Sequence, residues 1–302
     1  MKFIIAARVF NPKSQGCILL HKIAHTLNKI GHQAAVIFFN GHGSDTQCFI
    51  SNDQNHFCNE YSYHLISDDQ SFHKFKNNAI IIYPEIITGN PLGGKNIVRY
   101  MLNREGFIKK GVSINPSKRD FILTHSLNYH DKPDYHLFNY DGDISFNSDS
   151  TKVFYERDFD ITYIGKGSKY GQCFIVPGSK EITREWPPSK KDLANILRST
   201  RYFYTWDSLT ATKEDAILCG AFPIYMTYSP ITREEVHNWR DLSVFIPEIS
   251  FEQTKLPIPS TKLFEMELFL QSVAAKLKQS NTDWQPNIET LIQKLKFHFK
   301  LY

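Results

Sequence analysis

The chain has 302 residues, which at roughly 100–200 residues per domain corresponds to two domains or one large one. Hydrophobic residues make up 41% and charged residues 22%, and this composition excludes a disordered chain, a collagen-like fibre and a disulfide-rich miniprotein. The net charge of +4 is spread over both halves, whereas nucleic-acid-binding proteins carry a denser basic stripe. We therefore expect no nucleic-acid partner.

The five cysteines form no Cys-x-x-Cys pair and are odd in number, a pattern typical of reduced thiols in a reducing compartment. The first ten residues, MKFIIAARVF, contain only a short apolar run and predict a buried strand rather than a signal peptide. No run approaches the roughly 18–20 apolar residues of a membrane span. We expect a cytoplasmic protein, with peripheral contact to the inner face of the membrane left open.

The first sixty residues have the pattern of a strand, a helix and a second strand. A short apolar strand is predicted over 2–9, and an apolar run over 34–40 suits a strand buried on both faces. Between them, apolar residues recur at helical spacing before a stop at Gly31. This order is the usual beginning of a doubly wound α/β domain.

The rest of the first half continues with strands over 79–85, 120–126 and 135–140 and a helix over 92–104. A polar segment at 141–158 has the composition of a linker. A second α/β unit follows, with two helical stretches at its end, 261–279 and 286–300. We predict one domain over 1–150, a second over 151–285, and a helix over 286–302.

The segment 202–224 contains the strongest functional pattern. An apolar strand ends at Asp207, Asp215 follows eight positions later in the first turn of a helix, and the helix ends near Cys219 and Gly220. Ligands of open α/β sheets bind beyond the carboxyl ends of the strands. Free backbone N–H groups and the Thr210 hydroxyl at that edge suit a phosphate. A nearby carboxylate suits ribose or sugar hydroxyls.

A second pattern, YIGKGSKY at 163–170, also follows a predicted strand. Gly165 and Gly167 allow the backbone to approach a ligand closely, and Lys166 and Lys169 supply positive charge. The segment lacks the spacing of a P-loop. A strand followed by solvated lysines is the alternative interpretation.

The segment 202–224 resembles the C-terminal domain of GT-B glycosyltransferases, whose retaining members carry Glu, seven residues and Glu before a Cys-Gly-x-Pro turn. Asp207 and Asp215 occupy the two acid positions here, and the longer Glu214 stands beside the second. Either Glu214 or Asp215 is then the ribose ligand. The resemblance implies an α/β fold of two Rossmann-like domains facing a crevice, with the C-terminal helix crossing back to the first domain.

The resemblance also implies roles for single residues. Lys166 and Asp207 are the catalytic candidates in the second domain. The candidates for donor binding are Gly16, Gly165, Gly167, Lys169, Thr210, Glu214 and Asp215. Gly16 belongs to this set because the loop after the first strand of such enzymes carries glycine at the donor phosphates.

The stretch 83–106 is similar to one in bacterial polysaccharide glycosyltransferases of the GT-B type. The similarity implies acceptor binding by Asn90, Lys95 and Arg99, the last two on the helix predicted there. Glu85 stands at a strand end and is the candidate base of an inverting enzyme. The acid pattern around Asp207 instead favours retention of configuration. A turn with an amphipathic helix is the structural alternative.

The expected activity is transfer of a sugar from a nucleotide-activated donor to a glycan or lipid-linked acceptor, without a cofactor or metal. DGD at 141–143 and DFD at 158–160 mimic a metal motif but are poorly placed for one. Two rival functions remain open, a nucleotide-sugar-modifying enzyme such as an epimerase and a non-catalytic nucleotide-sugar-binding module. The oligomeric state is open as well.

Overall fold

The computed structural model describes residues 1–140, 145–147, 153–229 and 231–301. The chain divides into two compact units. Unit 1 comprises Met1–Asp141 and Ser280–Tyr302, and unit 2 comprises Gly142–Gln279. The C-terminal end of the chain therefore belongs to the same unit as the N-terminal half.

The regular elements follow one another in alternation. In chain order they are β1 (Lys2–Ala7), α1 (Gln15–Lys29), β2 (Gln33–Asn40), β3 (Gln47–Phe49), α2 (Asp69–Lys76), β4 (Ala79–Pro84), β5 (Asn96–Met101), β6 (Phe121–Thr124), β7 (Tyr135–His136), β8 (Phe159–Tyr163), β9 (Lys180–Glu181), α3 (Lys190–Arg198), β10 (Thr200–Thr205), α4 (Thr212–Leu218), β11 (Phe222–Tyr225), α5 (Arg233–His237), β12 (Asn238–Trp239), β13 (Val244–Phe245), α6 (Ser260–Thr282) and α7 (Trp284–Phe299). Short 3₁₀ helices lie at Gln54–His56, Phe154–Glu156, Gly165–Lys169 and Gln253–Lys255.

The sheet of unit 1 has the strand order β3-β2-β1-β4-β5-β6-β7. Its neighbouring strands are parallel except for β2 and β3. The chain moves outward from β1 to β3 and then returns to place β4 on the other side of β1, so the strand order reverses between β1 and β4. Such a reversal point is where open α/β sheets bind ligands, beyond the carboxyl ends of the strands.

Both faces of this sheet are covered. Phe3, Ile5 and Ala7 of β1 pack in the cluster that includes α1 and α7, whereas Ile4 and Ala6 pack in the cluster on the opposite face. The continuous apolar runs of β1, β2 and β4 follow from this double burial, because alternate residues of each strand meet different layers. The predicted α/β fold is confirmed.

The last helix packs on unit 1. One face of α7, including Ile288, Leu291 and Leu295, is buried in the core cluster beside α1. The Trp284 indole N–H donates a hydrogen bond of 2.7 Å to the Thr26 hydroxyl in α1. The apolar spacing in the sequence predicts this helix correctly, and its place in unit 1 agrees with the return to the first domain that the resemblance implies. No helix in the described ranges combines the length and apolar character that crossing a bilayer requires.

The sheet of unit 2 has the order β11-β10-β8-β9, and all its neighbouring strands are parallel. The strand order reverses between β8 and β10. Helix α6 buries Met266, Phe269 and Val273, and the Phe269 ring meets Phe222 of β11 edge-on at 5.7 Å between ring centroids. The loops that follow β8 and β10 consequently begin side by side at the edge where ligands bind.

The prediction of a helix over 92–104 is wrong, because residues 96–101 form β5 between β4 and β6. Arg99 has the appearance of a polar helix face in the sequence, but in β5 it is 2% exposed and its Nε lies 2.8 Å from Asp120 Oδ2. The preceding loop crosses the sheet closely, since a Cβ on Gly94 would lie 2.3 Å from Ile81 Cδ1. Gly94 is therefore required by this close approach of the loop to Ile81.

Candidate functional site

The candidate site lies at the carboxyl ends of β8 and β10 in unit 2. Tyr163 and Thr205, the last residues of these strands, are paired across the sheet. The Trp206 amide donates to the Tyr163 carbonyl at 3.0 Å. The loop 165–169 and the loop beginning at Asp207 therefore start as neighbours.

Two positions in the first loop require glycine. Gly165 has a φ of +53°, and a Cβ there would lie 2.5 Å from the Tyr163 ring and 2.9 Å from Asp207 Oδ2. A Cβ on Gly167 would lie 2.1 Å from the Trp206 carbonyl oxygen. The loop can pass against the end of β10 only because both side chains are absent.

Asp207 ties the two loops together. Its carboxylate accepts the Lys166 amide N–H at 3.1 Å on Oδ2 and the Leu209 amide N–H at 3.3 Å on Oδ1. The Lys166 ammonium lies 3.7 Å from Oδ2. Because Asp207 is only 3% exposed, it acts on Lys166 and on the backbone rather than presenting itself to solvent.

Positive charge gathers around this carboxylate. Burial lowers the pKa of Lys166, Asp207 counteracts that shift, and Arg184 and Lys169 lower the pKa further by repulsion. The Lys166 side chain is 20% exposed, while Lys169 and Arg184 are exposed. Lys169 and Arg184 are thus close enough to Lys166 to repel it electrostatically, and three such cations could together hold an anion.

Arg184 was not predicted from the sequence. It stands in the segment between β9 and α3, where no glycine turn or strand end marks it as functional. Only the fold brings it within electrostatic range of Lys166.

Thr210, for which the sequence predicts a contact with a donor phosphate, is largely buried. It is 5% exposed, and its hydroxyl donates to Thr212 Oγ1 at 3.2 Å and accepts the Thr212 amide N–H at the same distance. These contacts shape the entry into α4, so Thr210 is part of the loop framework.

The two ribose candidates lie in different surroundings. Glu214 is 8% exposed, and its Oε1 lies 3.4 Å from the fully buried Lys213 ammonium. Burial raises the pKa of Glu214 and lowers that of Lys213, and each group opposes the shift of the other. Asp215 is half-buried. Lys213 was also not predicted, since a lysine between threonine and glutamate at a helix start has the pattern of a solvated face.

Two of the candidate residues of unit 1 come together at the carboxyl ends of its strands. Glu85 follows β4, is 4% exposed, and accepts the Leu102 amide N–H at 3.1 Å on Oε2. Gly16, in the first turn of α1, lies near the same residue, since a Cβ there would be 3.5 Å from Leu102 Cδ1. This contact is an ordinary one, so Gly16 is not required by space.

The three acceptor candidates do not form one surface. Arg99 is buried in β5, and Lys95 is exposed just before that strand, at the amino-terminal edge opposite Glu85. The Asn90 Oδ1 accepts the Tyr83 hydroxyl at 3.0 Å and the Gly94 amide N–H at 3.1 Å, so its side chain closes the loop. The predicted helix would have aligned Lys95 and Arg99, and the strand separates them.

The described part of the chain contains no group of three or more His, Cys, Asp or Glu side chains arranged to hold a metal. Asp160 of the DFD segment lies in β8, three residues before its end, and pairs with Arg201 at 3.2 Å between Oδ1 and Nε. The DGD segment, with Asp141 and Asp143, lies outside the described residues.

No protein-family model matches the chain, and no curated protein sequence matches it. Among solved structures, it is similar to an alpha-glucosyltransferase in complex with UDP and a 13-mer DNA containing a HMU base, at 10% identity and a TM-score of 0.42, over 99% of this chain and 95% of that chain. It is similar to a glycotransferase of kitacinnamycin at 9% identity and a TM-score of 0.43, over 94% and 98% of the two chains. It is also similar to the spinosyn rhamnosyltransferase SpnG complexed with thymidine diphosphate, at 9% identity and a TM-score of 0.37, over 98% and 96%. Matches this distant do not indicate an activity, so the activity has to be inferred from this chain's own residues.

Proposed function

We propose that this protein transfers a sugar from a nucleoside-diphosphate-activated donor to an acceptor hydroxyl, and that unit 2 binds the donor. The observation that carries this proposal is the cluster of Lys166, Lys169 and Arg184 at the strand-order reversal of a parallel sheet. A diphosphate carries enough negative charge to interact favourably with several cations. The resemblance of 202–224 to the donor domain of GT-B glycosyltransferases supports the same ligand.

The chemistry follows from where charge develops. When the glycosidic bond to the donor breaks, negative charge accumulates on the leaving diphosphate, and cations already held at that position lower the barrier. Lys166 is the main group, because Asp207 and the glycine loop fix it before any ligand arrives. Asp207 is a positioning residue in this scheme. With protein cations at the diphosphate, we expect transfer to continue in excess EDTA.

For the stereochemistry, we propose retention of configuration, on the basis of the acid pattern at Asp207 and Asp215. Inversion would require a base such as Glu85. The Glu85 carboxylate, in unit 1, already accepts a hydrogen bond from the Leu102 amide. For the acceptor, we propose a glycan or glycolipid, on the basis of the similarity of 83–106 to bacterial polysaccharide enzymes. The identity of the anomer in the product, read by NMR, tests the stereochemistry directly.

The rival functions make different demands on the site. An epimerase needs an acid and a base beside the sugar, and a binding module needs no turnover. A thermal-shift panel with UDP, TDP, GDP and ADP and their glucose conjugates tests donor binding first. A ligand at about 100 times its Kd adds about 2.7 kcal/mol to the stability of the protein, which is a readable shift.

Turnover then separates the three functions. Release of the nucleoside diphosphate together with a new glycosidic bond, in the presence of an oligosaccharide or glycolipid acceptor mixture, supports transfer. Conversion of the donor to its epimer, or binding without any conversion over the acceptor panel, contradicts it. A panel in which no nucleotide shifts the melting temperature contradicts the donor site itself.

A further inference from the structure

Unit 2 contains a lysine inside its core. Lys213 is 2% exposed, in the first turn of α4. Its ammonium donates to the Ser208 carbonyl at 3.2 Å, lies 3.4 Å from Glu214 Oε1, and sits 3.4 Å from the centroid of the Trp239 ring. A pocket of otherwise mostly apolar residues, including Leu242 and Ile246, adjoins it.

The buried surroundings destabilise the charged form of Lys213 unless its three partners stay in place. A buried ammonium loses its hydration, and only the carbonyl, the carboxylate and the indole face compensate. The Glu214 carboxylate depends on its contact with Lys213, because Glu214 Oε2 is buried with no hydrogen-bond partner among the described residues. An unbranched apolar side chain of similar length would fill the space without this cost.

The contact with Ser208 connects the buried charge to the candidate site. Ser208 is fully buried and directly follows Asp207, and its hydroxyl donates to the Ser229 carbonyl at 3.0 Å. Ser208 is thereby held from two sides. Because Ser208 is covalently joined to Asp207, we expect a displacement of the Ser208 carbonyl to disturb the Asp207 carboxylate, which holds the Lys166 amide and ammonium.

We propose that Lys213 is a positioning residue, which fixes the loop between β10 and α4 and, through Asp207, the Lys166 ammonium that binds the donor diphosphate. Trp239 and Glu214 hold Lys213 in turn. Because Trp239 belongs to β12, the pair of strands β12 and β13 contributes to fixing this loop. The role of Lys166 in this inference rests on the proposed function. The ordering of the loop by Lys213 does not depend on it.

Two variants separate positioning from simple stability. Lys213→Met leaves Glu214 buried without its cation and should lower the melting temperature strongly. Lys213→Met combined with Glu214→Gln removes the pair together, so most of the stability should return. The exposed pair Lys262 and Glu265 in α6, changed to Met and Gln, is the matched control.

The first readout is binding of UDP, TDP, GDP and ADP by calorimetry, using the nucleotide that the wild type binds best. The double variant should bind it at least tenfold more weakly than Glu214→Gln alone, while the control pair should bind it like the wild type. Wild-type affinity in the double variant, or an equal loss from Glu214→Gln alone, would overturn the positioning role of Lys213.

The second readout is hydrogen exchange at the Lys166 and Leu209 amides, which both donate to Asp207. These two amides should exchange at least tenfold faster in the double variant, whereas amides in α3 should keep their wild-type rates. Unchanged exchange at both amides would overturn the inference. If the wild type binds no nucleoside diphosphate, the proposed function fails, and the exchange rates still decide whether Lys213 orders the loop.

Discussion

At the residue scale, the loop 165–169 depends on the absence of a side chain at two positions. Gly165 needs its positive φ, and Gly167 lies where any Cβ would overlap the Trp206 carbonyl. The glycines on either side of Lys166 are therefore informative in the sequence, because both allow close backbone contacts in the fold. The cations alone would not have distinguished the loop from a solvated turn.

We expect Gly167→Ala to destabilise unit 2, because the new Cβ would lie 2.1 Å from a backbone oxygen that cannot move freely. Overpacking of this kind costs about 1–3 kcal/mol or more. Gly16→Ala is the matched control, since its Cβ would make an ordinary contact of 3.5 Å within a helix. Thermal unfolding of both variants checks this, and equal melting temperatures would contradict the close contact at Gly167.

We expect Asp215→Asn to raise the donor KM about tenfold or more, because a charged hydrogen bond to a ribose hydroxyl contributes about 1.5–3 kcal/mol. Glu214→Gln should have a mild effect, since that carboxylate is engaged with Lys213. Initial-rate kinetics over donor concentration measures both variants. The reverse result would make Glu214 the ribose ligand, and no effect from either would remove the ribose assignment.

At the element scale, the sequence predicts the strands of both sheets better than it predicts the region 92–104. Strands such as β1, β2 and β4 are continuously apolar because layers pack on both faces, and that pattern is visible without a structure. In β5 a charged residue interrupts the pattern, and its partner Asp120 stands 21 positions away. Local periodicity cannot reveal a pair formed between a strand and a distant loop.

We expect Arg99→Met to destabilise unit 1, because Asp120 would remain buried without its cation. Breaking one side of a buried pair costs about 3–5 kcal/mol, and Arg99→Met with Asp120→Asn should recover part of that loss. Denaturant unfolding of the single and double variants measures the effect. A stable single variant with a raised acceptor KM would instead restore the acceptor role that the sequence suggested for Arg99.

The candidate site shows the same division between local and distant information. Lys166 and Asp207 stand directly after strands, so the sequence alone placed them at one edge. Arg184 and Lys213 join them only through the return of the chain between β9 and α3 and the packing of Trp239 on α4. Neither has a local signal, and the site therefore has two more charged groups than the sequence predicts.

At the scale of the whole molecule, the two units differ in their ionisable groups. Four histidines of unit 1 have pKa values that burial lowers, His21, His25, His32 and His64. His21 is fully buried, and its ring nitrogens contact the Arg8 carbonyl and the Tyr63 hydroxyl, both at 2.9 Å. His21 is therefore a hydrogen-bonded core histidine.

We expect the stability of unit 1 to fall as the pH drops below about 6.5. Because the folded state lowers the pKa of His21, the unfolded chain binds more protons in this range, so the free energy of unfolding rises with pH and levels off above it. One histidine contributes a slope of at most about 1.4 kcal/mol per pH unit. Calorimetric unfolding of the wild type between pH 7.5 and 5.5 measures this slope. A His21→Gln variant with the wild-type slope would contradict the assignment.

Calorimetric titration of the wild type, Lys166→Met and Lys278→Met with a nucleoside diphosphate tests whether unit 2 binds this ligand through Lys166. Lys278 is an exposed lysine of α6 and serves as the control. A charged hydrogen bond of about 1.5–3 kcal/mol corresponds to roughly a 10- to 150-fold change in affinity. We expect such a loss of affinity for Lys166→Met and wild-type affinity for Lys278→Met. Equal affinity in all three proteins would contradict it.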